Sequence, residues 1–166
     1  MVLEGAEEAG RNAASLLAAF RRSELPVIHV QHIAKRAGAT FFLPGTEGAE
    51  IRGVVAPLQG ETVIQKNYPN SFRQTGLLDC LKKRSITDLV IAGMMTHMCI
   101  DATTRAAFDL EFKIRLAHDA CATKSLSFGG VETPAAHVHN SYIAALNGTF
   151  AETLGSKDII AALAPK

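Results

Sequence analysis

The sequence predicts an α/β protein, a three-layer α/β/α sandwich around a mostly parallel sheet. Short runs of β-branched residues alternate with amphipathic helical patterns along the chain, which is typical of successive β-α-β units. Hydrophobic residues make up 48% of the 166 positions, enough to bury a substantial core. Because no repeat or linker-like segment divides the chain, we expect one domain over residues 1–166.

The first third of the chain predicts a helix, a strand and a long loop. The helix is indicated by apolar residues at helical spacing, namely Ala13, Leu16, Leu17 and Phe20. Residues 27–33 are apolar on both alternating faces, which favours a buried parallel strand. Residues 34–61 are rich in glycine and proline and predict a long loop of the kind that often carries function.

The middle of the chain continues the alternation of strands and helices. Residues 62–66 predict a second strand, and the capping-box pattern that begins at Ser71 predicts a helix that continues through Leu81. Residues 88–93 predict a further strand, and residues 97–110 predict the helix that follows it. A helix after each strand is what a parallel sheet requires.

The last third predicts two strands and two helices. Residues 112–116 alternate apolar with charged side chains, which predicts a half-exposed strand nearer the edge of the sheet. The pair Thr133 and Pro134 predicts the start of a helix. A short strand at residues 149–153 and a helix from Ser156 complete the predicted elements.

Charge and cysteine content narrow the possible function classes. The 17 basic and 16 acidic residues give a formal net charge of +1, so the chain has no strong positive electrostatic potential to attract nucleic acid or an anionic membrane. No apolar run approaches the roughly 20 residues that span a bilayer. The three cysteines include no C-x-x-C pair and suggest neither a disulfide framework nor a zinc knuckle. We therefore expect a cytoplasmic protein with a small-molecule substrate and no nucleic-acid or membrane partner.

Two chemically capable side chains follow predicted strands. Lys66 ends the 62–66 strand, and Cys99 lies in the turn after the 88–93 strand. Ligands of open parallel sheets bind at the carboxyl ends of the strands, so both residues should face one edge. A helix that begins near Thr96 places Cys99 in its first turn, where the helix dipole and free N–H groups favour a thiolate. The alternative is that Cys99 is a small buried hydrophobic residue.

The segment from Gly93 to Ala107, GMMTHMCIDATTRAA, resembles a known nucleophile motif, G-x-x-T-x-x-C-x-x-x-T-x-R-x-A. This motif belongs to the isochorismatase-like cysteine hydrolases, which include nicotinamidases, N-carbamoylsarcosine amidases and ureidoacrylate hydrolases. Lys66 and later segments around residues 117–120 and 148–154 also run in the family's order, so the resemblance covers nearly the whole chain. It implies an isochorismatase-like, Rossmann-like fold.

The resemblance also implies a mechanism and site residues. Cys99 would be the nucleophile that cleaves a C–N bond of a small amide, lactam or carbamoyl compound through a thioester, without a cofactor. Lys66 would hold the site positive. The Met94–Met95 peptide would be cis, and the backbone N–H groups of Met95 and Cys99 would form the oxyanion hole. Homo-oligomers are implied as well.

The sequence departs from the family where a catalytic aspartate is expected. In the family this aspartate ends a first strand that precedes the first helix, and here no aspartate precedes Asp79. Asp101 is expected to be solvated or capping, and Asp119 is expected to be structural. We expect the chain to be shorter than the natural protein by roughly 15 to 25 residues, about a strand and its connection. Strands 27–33 and 88–93 should then lie on either side of an unfilled lane.

The remaining candidates concern the pocket and a metal. Phe41, Tyr68 and Phe72 lie in loops above the predicted edge and are candidate substrate-binding residues, although Phe72 would serve equally as a hydrophobic staple of its helix. His29 and His32 are three residues apart on a strand and face opposite sides, so they are expected to be structural or pocket-lining. No metal site is predicted.

Three other functions stay open at this point. A binding or assembly subunit that has lost activity is favoured by the missing aspartate, and disfavoured by the retention of Cys99 and Lys66. A vinyl-ether hydrolase of the isochorismate type is disfavoured because those enzymes lack the cysteine. A redox thiol protein is disfavoured because no resolving cysteine is adjacent.

Overall fold

The strands form two parallel sheets and one hairpin in a computed structural model that describes residues 3–163. The elements in chain order are α1 (Ala6–Arg22), β1 (Ile28–His32), β2 (Thr62–Lys66), α2 (Leu77–Lys83), β3 (Asp88–Met94), a π-helical turn (Thr96–Ile100), α3 (Asp101–Asp109), β4 (Lys113–Ala122), β5 (Leu126–Phe128), β6 (Val131–Thr133), α4 (Ala135–Leu146), β7 (Glu152–Leu154) and α5 (Ser156–Ala162). β1 pairs with β2, and β4 lies between β3 and β7. β5 and β6 form the antiparallel hairpin, which the sequence did not predict.

Helices cover both faces of the strands, which confirms the three-layer α/β sandwich. One core cluster joins Leu16 of α1 and Ile159 of α5 to Ala117 and Ala120 of β4. The other face of β4 contributes Ile114 and Leu116, among others, to a second cluster with the helices of the opposite layer. No helix in the described part of the chain is long and apolar enough to cross a membrane.

α1 follows directly from its sequence pattern. Its buried side includes Leu16, as the apolar spacing predicts, and also Ala19. Two glutamates lie in its first turn and two arginines in its last turn, where each sign of charge is favoured by the helix dipole.

β1 and β3 belong to separate sheets and share no ladder hydrogen bonds. They therefore do not pair directly, which is the arrangement expected if a lane lies between them. β1 is parallel as predicted, but it is not a fully buried strand, because Val30 is 38% exposed. None of the residues of β3 is buried either, although its sequence is almost entirely apolar. Both strands are less buried than their composition predicts.

Two sequence predictions about secondary structure are wrong. β4 is the middle strand of its sheet and not a strand near the edge: its exposed residues, Lys113 and Arg115, lie in its amino-terminal half, and the stretch from Ala120 to Ala122 is buried. The helix predicted from Ser71 begins only at Leu77. Gln74, which would complete a capping box, has a φ of 55°, and the Ser71 hydroxyl is used in a different contact described below.

Candidate active site

The carboxyl ends of the parallel strands carry the residues that the sequence singled out. β2 ends at Lys66, and the π-helical turn that contains Cys99 comes directly after β3. His32 ends β1 and lies level with Lys66 in the β1–β2 ladder. This is the edge at which ligands of parallel sheets collect.

The Lys66 ammonium is buried and its hydrogen-bond partners are neutral. The residue is 4% exposed, and Nζ donates to the Pro69 carbonyl oxygen at 2.6 Å and to Ser71 Oγ at 3.2 Å. Ser71 Oγ lies 2.9 Å from Thr103 Oγ1 on α3. Burial lowers the pKa of Lys66, and the nearby Cys99 side chain partly offsets that shift. Within the described chain no carboxylate forms a salt bridge with Lys66.

The turn that holds Cys99 presents backbone N–H groups. The Met95 carbonyl oxygen accepts hydrogen bonds from the N–H groups of Met98 and Ile100, at 3.1 and 3.2 Å, and none from Cys99. The Met95 N–H has no acceptor in the part of the chain that the structure describes. The Met94–Met95 peptide is cis, as predicted. The role of the Met95 N–H in an oxyanion hole stays a prediction.

Thr96 anchors the beginning of this turn to a distant helix. It is fully buried, and its Oγ1 lies 3.0 Å from Nδ1 of His139 on α4. The next residue, His97, has Nδ1 in hydrogen-bond contact with Thr123 Oγ1. Sequence reasoning missed both contacts. Thr96 and His139 are 43 positions apart and His97 and Thr123 are 26 positions apart, and no local pattern links residues at such separations.

The three candidate aromatic residues lie in three different contacts. Phe41 packs edge-on against Phe42, with ring centroids 5.1 Å apart. Tyr68 lies under the guanidinium of Arg73, 3.8 Å from the ring centroid. Phe72 stacks on the core residue Phe112 at 6.0 Å, a packing role that differs from the helix staple considered for it, because the helix begins only at Leu77. Their contact with a substrate stays a prediction.

Both aspartates that the sequence weighed have structural partners. Asp101 forms an i,i+4 pair with Arg105 at 2.9 Å. Asp119 accepts hydrogen bonds from the backbone N–H and the hydroxyl of Ser156, at 2.8 and 2.7 Å, and so caps α5. Neither carboxylate is bonded to Lys66, and the family's aspartate has no counterpart at this position in residues 3–163.

His29 and His32 lie on opposite faces of β1, as their spacing predicts. His29 Nε2 is 2.8 Å from the Glu61 carboxylate, which also pairs with Arg21 of α1. The pKa of Glu61 is lowered, chiefly by its hydrogen bond from Arg21. Across the described residues, no group of three or more His, Cys, Asp or Glu side chains is arranged to hold a metal ion.

Cys99 is expected to react with iodoacetamide faster than the other two cysteines. It lies beside the Lys66 ammonium, whereas burial raises the pKa of Cys121 to about 12 and so suppresses its thiolate. Peptide mapping of the folded protein after brief alkylation at neutral pH measures the three rates. Faster labelling of Cys80 or Cys121 would contradict the assignment.

Comparison with known proteins agrees with this architecture. The family model described as the isochorismatase domain matches residues 2–156. The chain is 48% identical over 151 residues to the uncharacterized isochorismatase family protein YddQ of Bacillus subtilis, covering 91% of this chain and 84% of YddQ. A crystal structure from Oleispira antarctica, assigned to the isochorismatase hydrolases, matches with a TM-score of 0.92 at 48% identity, over 96% of this chain and 84% of that one.

A more distant relative has a name that states its activity. The ureidoacrylate amidohydrolase RutB of Variovorax paradoxus is 30% identical over 100 residues, which cover 60% of this chain and 38% of that protein. The family assignment does not depend on this partial match, because the isochorismatase domain spans most of the chain. The chain therefore belongs to the isochorismatase family of hydrolases.

Proposed function

We propose that the protein hydrolyses a C–N bond of a small amide, lactam or carbamoyl compound, with Cys99 as the nucleophile. The observation that carries this proposal is the buried Lys66 ammonium, whose hydrogen-bond partners are neutral and which lies near the Cys99 side chain. Burying an ammonium without a carboxylate is costly, which favours a chemical over a structural role for Lys66. The name of one matched relative, an amidohydrolase, agrees with this bond type.

The first half-reaction forms the thioester. In the resting site the Cys99 thiol proton already lies on Lys66, and the thiolate sulfur attacks the carbonyl carbon of the substrate, forming a C–S bond. The negative charge that develops on the carbonyl oxygen is accepted by the N–H groups of Met95 and Cys99. The Lys66 ammonium then gives its proton to the leaving nitrogen as the C–N bond breaks, and ammonia or an amine departs.

The second half-reaction clears the thioester with water. The Lys66 amine, now neutral, takes a proton from the attacking water, whose oxygen bonds to the thioester carbon. The C–S bond breaks, the carboxylic acid leaves and the thiolate–ammonium pair is restored. The lowered pKa of Lys66 suits this exchange, because it lies closer to the pKa values of the groups that give the proton to Lys66 and take it back.

The setting of this activity is part of the same proposal. A nearly neutral chain with three free cysteines suits a reducing cytoplasm and a small-molecule substrate. A homo-oligomer is expected from the resemblance to the family.

Trapping of the thioester tests the proposed function. The protein is incubated with a panel of small amides, among them nicotinamide and N-carbamoyl amino acids, and released ammonia is measured. Rapid acid quenching followed by mass spectrometry should place an acyl group on the peptide that contains Cys99. Cys99→Ser should lower turnover by about 10³-fold or more, whereas Cys80→Ser should leave it unchanged. A folded protein that releases ammonia from no amide and carries no acyl group would favour the binding-subunit alternative.

A further inference from the structure

One buried polar atom beside the proposed active site has no partner. His32 Nδ1 is inaccessible to solvent and forms no hydrogen bond with any described residue. The other histidine of β1 differs in this respect, because His29 is held by Glu61 at 2.8 Å. A buried ring nitrogen without a partner is costly, and a polar atom of this kind next to a reactive centre indicates a missing ligand contact.

The direction of the His32 side chain follows from the sheet. His32 and Lys66 are register partners in parallel strands, so their side chains point to the same face. On the same faces of the two strands, Ile28, four positions before His32, and Ile64, two positions before Lys66, pack against the core cluster that includes Ile100 of the π-helical turn. His32 therefore faces the layer that carries Cys99, whereas His29 faces α1.

The His32 ring is held in place by aromatic neighbours. Phe42 stacks on it with ring centroids 5.0 Å apart and an interplanar angle of 21°. Phe41 in turn packs edge-on against Phe42. A ring that is fixed in this way presents Nδ1 in one direction, which a hydrogen bond to a small ligand requires.

His32 is set up to accept a hydrogen bond. Burial lowers the pKa of His32, and the positive charge of Lys66 lowers it further, so the imidazole is neutral at pH 7. A neutral imidazole carries one N–H and one acceptor nitrogen. With the proton on Nε2, Nδ1 is the acceptor, and Lys66 on the neighbouring strand supplies no hydrogen bond to it.

We propose that His32 contacts the substrate, with Nδ1 accepting a hydrogen bond from an N–H of the scissile amide or carbamoyl group. This inference rests on the proposed function and deepens it, because it restricts the substrate class to compounds that keep an N–H on the reacting nitrogen. N,N-disubstituted amides and esters would leave Nδ1 unpaired and would bind less well. Holding that N–H also orients the leaving nitrogen for the proton that Lys66 delivers.

Alkylation of Cys99 by two neutral probes tests the contact. 2-Chloroacetamide has the N–H donors, and N,N-dimethyl-2-chloroacetamide lacks them. For each probe the rate of alkylation at Cys99 is measured, and the rate with 2-chloroacetamide is divided by the rate with the dimethyl probe. This ratio is then divided by the same ratio for free glutathione. In the unmodified protein the normalised ratio should be about 5 to 10, which corresponds to the free energy of one hydrogen bond. His32→Phe keeps a stacking ring and removes the acceptor, so the normalised ratio should fall to about one. His32→Asn keeps an acceptor at the δ position and should retain most of the preference.

A second measurement needs no variant and covers the case in which His32→Phe does not fold. Acetamide should protect Cys99 from alkylation, and N,N-dimethylacetamide should protect it several-fold less well. Equal protection by both, or equal rate ratios in the unmodified protein and His32→Phe, would overturn the role of His32 while Cys99 remains reactive. Loss of the proposed function has a different signature, because Cys99 would then form no thioester with any amide.

Discussion

Replacing Lys66 by methionine is expected to abolish hydrolysis and at the same time to stabilise the fold. The loss in kcat/KM should be about 10³-fold, because methionine cannot give or take the protons that Lys66 exchanges in both half-reactions. The gain arises because Lys66 is a buried ammonium without a carboxylate partner among residues 3–163, and a hydrophobic side chain of similar length avoids its desolvation. We expect an increase of about 1 kcal/mol in the free energy of unfolding. Ammonia release and urea denaturation measure the two effects.

The pH dependence of that stability difference has a definite sign. The pKa of Lys66 is lowered in the folded state from 10.5, so between the folded value and 10.5 the unfolded chain binds more protons. The stability of the unmodified protein therefore rises with pH across this window. The advantage of Lys66→Met should be full below the folded pKa and should shrink as the pH approaches 10.5. Lys83→Met, on the exposed side of α2, is the matched control and should change neither activity nor stability. Full turnover in Lys66→Met would exclude the proposed role.

Asp119→Ala is expected to destabilise the protein without a specific effect on hydrolysis. The substitution removes both hydrogen bonds to Ser156 and the carboxylate at the amino end of α5. The loss should be about 2 kcal/mol in the free energy of unfolding. Activity per folded molecule should stay unchanged, because Asp119 has no contact with Lys66.

Asp101→Ala is the matched control for the same question. Its partner Arg105 is partly exposed and lies one helical turn away, so the pair should contribute no more than about 0.5 kcal/mol. Thermal or urea unfolding of both variants, alongside ammonia release, separates the two aspartates. If one of the two variants alone loses activity at unchanged stability, the aspartate replaced in it would be identified as the catalytic aspartate.

The sequence predicts well the elements that have strong local patterns. The periodic apolar residues of α1 and the β-branched runs of β2 and β3 are sufficient, because neighbours along the chain set both the period and the buried side. The position of β4 could not be found in this way. Its alternating residues 112–116 resemble an edge strand, and only the strands on either side of it make it central.

Some features of the candidate site could likewise be predicted from the sequence, and others could not. The proximity of Lys66 and Cys99 follows from one rule, that parallel strands end at the same edge, and in the structure Cys99 lies close enough to affect the pKa of Lys66. The contact of Ser71 with Lys66 could not be predicted, because the sequence around this serine matches a helix-capping pattern and nothing in it indicates a contact with Lys66. The unpaired Nδ1 of His32 is likewise invisible in the sequence, because whether a polar atom lacks a partner depends on every residue around it.

The separation of β1 from β3 has a consequence for how the protein behaves at high concentration. Among residues 3–163, each of these strands leaves one row of backbone N–H and C=O groups without a ladder partner, and neither strand contains a proline. Such rows are templates for strand addition by another chain. Association through these edges would grow with protein concentration and would leave the chemistry of Cys99 unchanged, so association depends on the strand edges, whereas the proposed catalysis depends on the carboxyl ends of the strands.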